Sequence, residues 1–145
     1  MHPDYLEKVL NAQVYDIAVE TPLELAANLS SRAGNKILLK REDMQPVFSF
    51  KLRGAYNKIA SLSPEKLKRG VICASAGNHA QGVAWAAYRL GVPAITVMPH
   101  GAPENKIAGV AHWGATVRQH GDSYDEAYAF ARQLAEHHGY RFLSA

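Results

Sequence analysis

Two short stretches hold residue types that can do chemistry. The first is "SFKLRGAYNKI", residues 49 to 59, where Lys51 follows Phe50 at the start of an amphipathic helical pattern. A lysine at the positive end of a helix dipole is mildly misplaced. A primary amine in its neutral form attacks a carbonyl to give a Schiff base, and lysine is the side chain most often recruited for that work. Phe50 and Phe48 flank it, and an aromatic ring there could cover the face of a flat heterocycle. The residues alone leave a second reading open: an ordinary solvated lysine in a helix's first turn.

The second stretch is "SAGNHAQG", residues 75 to 82, between an apolar run and a helical pattern. Ligands of open α/β sheets bind beyond the carboxyl ends of the strands, which is where this loop falls. Ser75, Ala76 and Gly77 are small enough to let backbone approach a ligand. The unpaired N–H groups of the helix start favour a carboxylate or phosphate, and Asn78 and His79 add side-chain donors. The loop matches neither G-x-G-x-x-G nor a P-loop. A strand-to-helix turn that needs glycine for its geometry explains it equally well.

Other reactive types carry less. The adjacent His137 and His138 lack Asp, Glu or Cys partners at ligand spacing, so no metal site is expected. Asp122, Asp125 and Glu126 read as helix-start residues, and no Ser/His/Asp arrangement is visible. The single cysteine, Cys73, lies inside the apolar run "VICAS" and reads as a small buried hydrophobe in a reducing compartment.

The elements that must position these residues alternate. "DYLEKVL" reads as a short helix. "TPLELAANLSSRAG" reads as a helix opening at Thr21 and Pro22 and stopped by Gly34. "KILLK" reads as a strand, and "REDMQPV" as a loop. From Phe50 onward, Leu52, Ala55, Tyr56, Ile59 and Leu62 fall on one helical face, with Ser49 placed to cap it. Strand "GVICAS" then leads to a helix over 78–90, whose apolar face is Ala80, Val83, Ala84, Ala87 and Leu90. Strand "AITVMP", a helix from Pro103, strand "ATVRQHG", a helix opened by the Ser123/Glu126 capping box and a last strand "YRFLSA" follow. The expected fold class is α/β, an open parallel sheet flanked by helices.

Composition agrees with a globular protein. The chain has 145 residues, 48% of them hydrophobic and 20% charged, and 16 basic against 13 acidic residues give a net charge of +3. That balance argues for neither nucleic acid nor membrane as partner, and no apolar run reaches transmembrane length. "MHPDYLEKVL" has the acidic residues that signal and transit peptides lack, so a cytoplasmic location is expected.

Taken together and in order, "TPLELAANLS", "ILLKREDMQPVFSFKLRGAYNKI", "GVICASAGNHAQGVAWAA" and "GATVRQHG" resemble the fold-type II pyridoxal-phosphate enzymes, and among them most closely the biosynthetic threonine deaminases. The resemblance implies a tryptophan-synthase-β-like fold in which residues 1–49 begin the large cofactor domain and residues 50–145 form the small substrate-side domain. It implies pyridoxal 5'-phosphate held covalently as a Schiff base at Lys51, which also shuttles the substrate's Cα proton. It places Phe50 against the pyridine ring, Asn78 on the ring hydroxyl, and Ser75, Ala76, Gly77 and His79 around the substrate carboxylate. The implied reaction converts L-threonine to 2-oxobutanoate and ammonia, and L-serine to pyruvate, in isoleucine biosynthesis. Where serine racemases of this fold carry a second acid/base serine, this chain has Ala76, which disfavours racemisation.

The family's glycine-rich phosphate loop, the residue facing the pyridine nitrogen and the C-terminal regulatory domain do not occur in these 145 residues. The expectation is therefore a fragment of a homo-oligomeric parent (dimer or tetramer), itself nearly inactive. Competing expectations are another enzyme of the fold (serine dehydratase or racemase, threonine synthase), a non-catalytic α/β ligand-binding module, and a fragment that persists through packing or self-association.

Overall fold

In the run Val71–Ala74 the side chains alternate between two cores, and that alternation organises the molecule. Val71 and Cys73 enter one hydrophobic cluster, Ile72 and Ala74 the other, as the two-residue period of a strand requires. All four are buried, the signature of a central parallel strand covered on both faces. The computed structural model describes residues 4–145. Met1 to Pro3, part of the start read for targeting character, lie outside the described residues.

The main sheet comprises β3 (Val71–Ala74), β4 (Ala94–Met98), β5 (Thr116–Gln119) and β6 (Arg141–Phe142) in the order β5-β4-β3-β6. All its pairs are parallel, with Ile72 opposite both Ile95 and Phe142. The intervening helices are α5 (Asn78–Leu90), α6 (Glu104–His112) and α7 (Tyr124–His138). The α7 residues Ala127, Ala131 and Ala135 form an i, i+4, i+8 stripe that packs on Ile72, Ala74 and Val97. Ser123 and Glu126 make the expected capping box, and Gly139 closes α7 in the left-handed conformation.

The other face carries α3 (Lys51–Ala60) and α5. Leu52, Ala55, Tyr56 and Ile59 of α3 are buried as its periodicity predicts, whereas Leu62 lies beyond the helix and is only half covered. Helix α5 is buried all round from His79 to Ala87, wider than the expected stripe, because α3 covers the side turned away from the sheet.

Two expectations in the first third are corrected. "TPLELAANLSSRAG" is not one helix: Leu23–Leu25 form β1, which pairs antiparallel with β2 (Leu38–Lys40), and only Ala27–Ala33 form α2. Seven helical residues cannot repay nucleation unaided, while Leu23–Leu25 find a complete ladder on β2. Ser49 does not cap α3; Phe50 takes the N-cap position without a side-chain bond, and the buried Ser49 Oγ has no hydrogen-bond partner among the described residues. The remaining helices are α1 (Tyr5–Leu10), capped by Asp4, and α4 (Pro64–Leu67), with single 3-10 turns at Val14–Asp16 and Glu42–Met44. No helix among the described residues is long and apolar enough to cross a membrane.

Candidate cofactor and substrate site

Lys51 and Asn78 are the first residues of α3 and α5. Neither helix has a side-chain N-cap; in α3 the Arg53 N–H turns back to the Phe50 carbonyl at 3.0 Å, while the first N–H groups of α5 have no partner among the described residues. Gly82, one turn into α5, brings the two helix starts together. A Cβ placed on it would stand 2.9 Å from the carbonyl carbon and oxygen of Lys51, so only glycine admits this approach.

Lys51 opens onto a cavity of about 500 Å³ lined among others by Phe50, Gly54, His79, Phe142 and Leu143, within the usual range for small-molecule sites. Lys51 Nζ stands 5.8 Å from the centre of the Phe50 ring and has no carboxylate or carbonyl partner among the described residues. Phe50 is 60% exposed, its ring free to receive a planar group. His79 is buried, and its Nε2 lies 3.4 Å from the Leu143 carbonyl oxygen. Because a carbonyl only accepts, Nε2 carries the proton and Nδ1 keeps the lone pair. Burial pushes this imidazole below its ordinary value, the Leu143 bond opposes that, and the charge of Lys51 lowers it further. His79 is therefore neutral near pH 7.

The Ser75–His79 stretch meets the cavity only through His79; Ser75, Ala76, Gly77 and Asn78 do not line it. Gly77 N–H donates to Ser75 Oγ at 3.2 Å, and Ser75 N–H to the Val97 carbonyl at 3.0 Å, which fixes the turn at the end of β3. Asn78 is exposed, and its Oδ1 accepts from Lys106 Nζ at 2.8 Å.

Sequence reasoning missed the brace behind Lys51. Arg53 Nε and Nη2 donate to the two oxygens of Glu42 at 2.8 and 3.0 Å, a bidentate pair of high geometric definition. Thr21 Oγ1 donates to Glu42 Oε1 at 2.7 Å. The buried Gln45 closes a two-way bond with the Val19 backbone, donating to the carbonyl at 2.7 Å and accepting from the N–H at 2.9 Å. The guanidinium of Arg53 also lies 5.1 Å from the Tyr15 ring centre. Arg53's hydrogen bonds hold the Glu42 carboxyl at about 2, and burial works the other way. These partners come from three separated segments with no shared spacing. Only the burial of a glutamine in "REDMQPV" was unusual, and burial cannot be read from that run.

The side chains fit the reactive end of a flat aldehyde cofactor. They provide an amine on a cavity wall that has no partner among the described residues, an exposed ring beside it, and an amide at the neighbouring helix start. Among the described residues no group of three or more His, Cys, Asp or Glu could hold a metal ion.

Residues 14–145 match the family model described as pyridoxal-phosphate dependent enzyme. The chain is 56% identical over 140 residues to threonine dehydratase 1 biosynthetic, chloroplastic, of Solanum lycopersicum, covering 97% of this chain and 23% of that protein. It is 57% identical over 143 residues to the biosynthetic L-threonine dehydratase of Burkholderia multivorans, covering 97% and 28%. Among solved structures, the processed form of threonine deaminase isoform 2 from Solanum lycopersicum superposes with TM-score 0.89 at 52% identity, over 96% of this chain and 40% of that one. Maize serine racemase superposes with TM-score 0.87 at 30% identity, over 94% and 42%. The chain thus spans about a quarter of the length of these curated relatives.

Proposed function

The chain belongs to the pyridoxal-phosphate-dependent enzyme family, and on that premise we propose that it carries the lysine-bearing, substrate-side part of a threonine dehydratase. The observation that carries the reading is Lys51: an amine at a helix start, with no ion-pair partner among the described residues, on a cavity wall shared with the exposed Phe50 and the neutral, buried His79. The proposed substrate is a small amino acid. L-threonine would lose water to an enamine, which hydrolyses to 2-oxobutanoate and ammonia, and L-serine would yield pyruvate by the same path.

Pyridoxal phosphate, when bound, supplies the electron sink that makes a Cα proton removable. In this reading Lys51 holds the cofactor through Nζ and moves the Cα proton. Phe50 lies against the ring, and Asn78 donates to its hydroxyl. The substrate carboxylate is received by Ser75, Ala76 and Gly77 with the open N–H groups of the α5 start, where the helix dipole favours an anion. His79, neutral and hydrogen-bonded to Leu143, completes that carboxylate-receiving loop without adding charge.

Serine racemase among the structural neighbours raises racemisation as a second outcome. Ala76 speaks against it, since a methyl group cannot exchange protons on the opposite face of the substrate. We place the domain division at 49/50. The separate β1–β2 sheet supports it, although Ile17, Ala18 and Val47 share the main core. A cytoplasmic, homo-oligomeric parent completes the proposal; the Solanum lycopersicum relative is chloroplastic by name, so fractionation in the source cell decides the location.

The test is chemical. The chain is mixed with pyridoxal phosphate, reduced with borohydride and mapped by peptide mass spectrometry. Preferential labelling of Lys51 over the other lysines, lost in Lys51→Ala, supports the reading. Labelling spread evenly over the lysines overturns it. Assay of the parent gene product for 2-oxobutanoate from threonine then tests the substrate.

A further inference from the structure

Lys106 repeats the anomaly that singled out Lys51: it stands in the first turn of α6, at the end of the helix dipole that disfavours a cation. What it finds there is a pair of amide oxygens. Its Nζ donates to Asn78 Oδ1 at 2.8 Å and to Gln81 Oε1 at 3.0 Å. Both acceptors sit on α5, one turn apart, so a single ammonium group joins the start of α6 to the start of α5.

The chemistry of the donor fixes the orientation of both amides. Lysine has no lone pair to offer, so the atom each amide turns toward it must be oxygen. Asn78 Nδ2 is then directed away from Lys106 and remains a donor. Gln81 is buried, and its Nε2 is packed against Gly109 so closely that a Cβ there would stand 2.4 Å away. Gln81 is thus seated against Gly109 while its Oε1 accepts from Lys106.

We propose that Lys106 is a positioning residue for the cofactor: it sets the Asn78 amide so that its N–H₂ donates to the ring hydroxyl oxygen. The inference rests on the proposed role of Asn78 and adds the reason that amide has one orientation. Without Lys106, Asn78 is an exposed amide at a helix start, free to rotate and to present its oxygen to another oxygen.

Two measurements on the full chain separate this from a plain structural tether. The first needs no cofactor: nitrogen-15 relaxation of the Asn78 side-chain amide. The parent is expected to be ordered, Lys106→Met mobile, and Lys106→Arg, which keeps the donors, ordered again. The second compares borohydride trapping at Lys51 with pyridoxal phosphate and with its 3-deoxy analogue, which lacks the ring hydroxyl. The parent should prefer pyridoxal phosphate, and Lys106→Met should reduce that preference roughly five- to tenfold, the size of one hydrogen bond, while the analogue's rate stays unchanged.

An Asn78 amide equally ordered in Lys106→Met overturns the proposal and leaves the function untouched. So does a mobile amide with an unchanged preference, because Lys106 would then only tether two helices. A parent in which Lys51 shows no preferential trapping overturns the functional reading itself, and the role of Lys106 with it.

Discussion

Gly82 of α5 lies against the peptide bond between Lys51 and Leu52: a Cβ on it would be 2.9 Å from the Lys51 carbonyl oxygen and 3.1 Å from the Leu52 nitrogen. Backbone cannot yield as a flexible side chain can. Gly82→Ala therefore forces α5 away from the start of α3, an overpacking that costs about 1–3 kcal/mol, against the roughly 1 kcal/mol that alanine returns in a helix interior. Gly54→Ala is the control, because nothing lies within 4 Å of its Cβ position; it should gain about 0.5–1 kcal/mol. Denaturant unfolding of the two variants measures the contrast, and equal gains in both would refute the close approach.

The regular half of the chain was legible and the irregular third was not, for a physical reason. Val71–Ala74 and Asn78–Leu90 are set by local periodicity and by Gly91 as a stop, so their limits could be read directly. Leu23–Leu25 form a strand only because Leu38–Lys40 lie opposite, a pairing no local pattern encodes. At the site, Lys51 and Ser75–His79 were visible as residue types in place. Lys106 and Glu42 were not, since each acts across more than ten residues through tertiary hydrogen bonds.

Phe48 has φ of +57°, a left-handed conformation that is costly for a bulky residue and free for glycine. Its ring is 73% exposed, so little packing is lost by removing it. Phe48→Gly is expected to raise stability by about 1 kcal/mol, and Phe48→Val, branched at Cβ, to lower it. Thermal unfolding of the three proteins checks the order; a less stable Phe48→Gly would show that the ring contributes more than the strain costs.

Cys73 is buried in the core that β3 shares with α3 and α5, 3.7 Å from Thr96 Oγ1. Burial pushes its thiol up to about 12, so almost no thiolate exists near neutrality. A disulfide exchange reagent should leave the native chain unmodified and react fully once denaturant is added. Prompt modification of the folded chain at pH 7 would contradict the packing of β3.

Stability should fall in two stages on acidification, and the sign follows from which state binds more protons. His79 is held neutral, so below its ordinary value of 6.5 the unfolded chain takes up a proton that the folded chain refuses; this contribution is complete above 6.5 and lost as pH drops through the lowered folded value. Glu42, held at about 2 by Arg53 against an ordinary 4.5, contributes fully above 4.5 and loses that contribution toward 2. Asp43, Glu65 and Glu126 are shifted in the same direction but lie exposed, where water screens them and their share is small. Glu42→Gln should remove most of the lower stage and, by leaving Arg53 without its partner, cost about 2 kcal/mol near neutrality. His79→Gln should flatten the upper stage alone. Urea midpoints measured in steps from neutrality to pH about 3 resolve the two; an acid limb as steep in Glu42→Gln as in the parent would mean that the brace behind Lys51 does not govern the acid response.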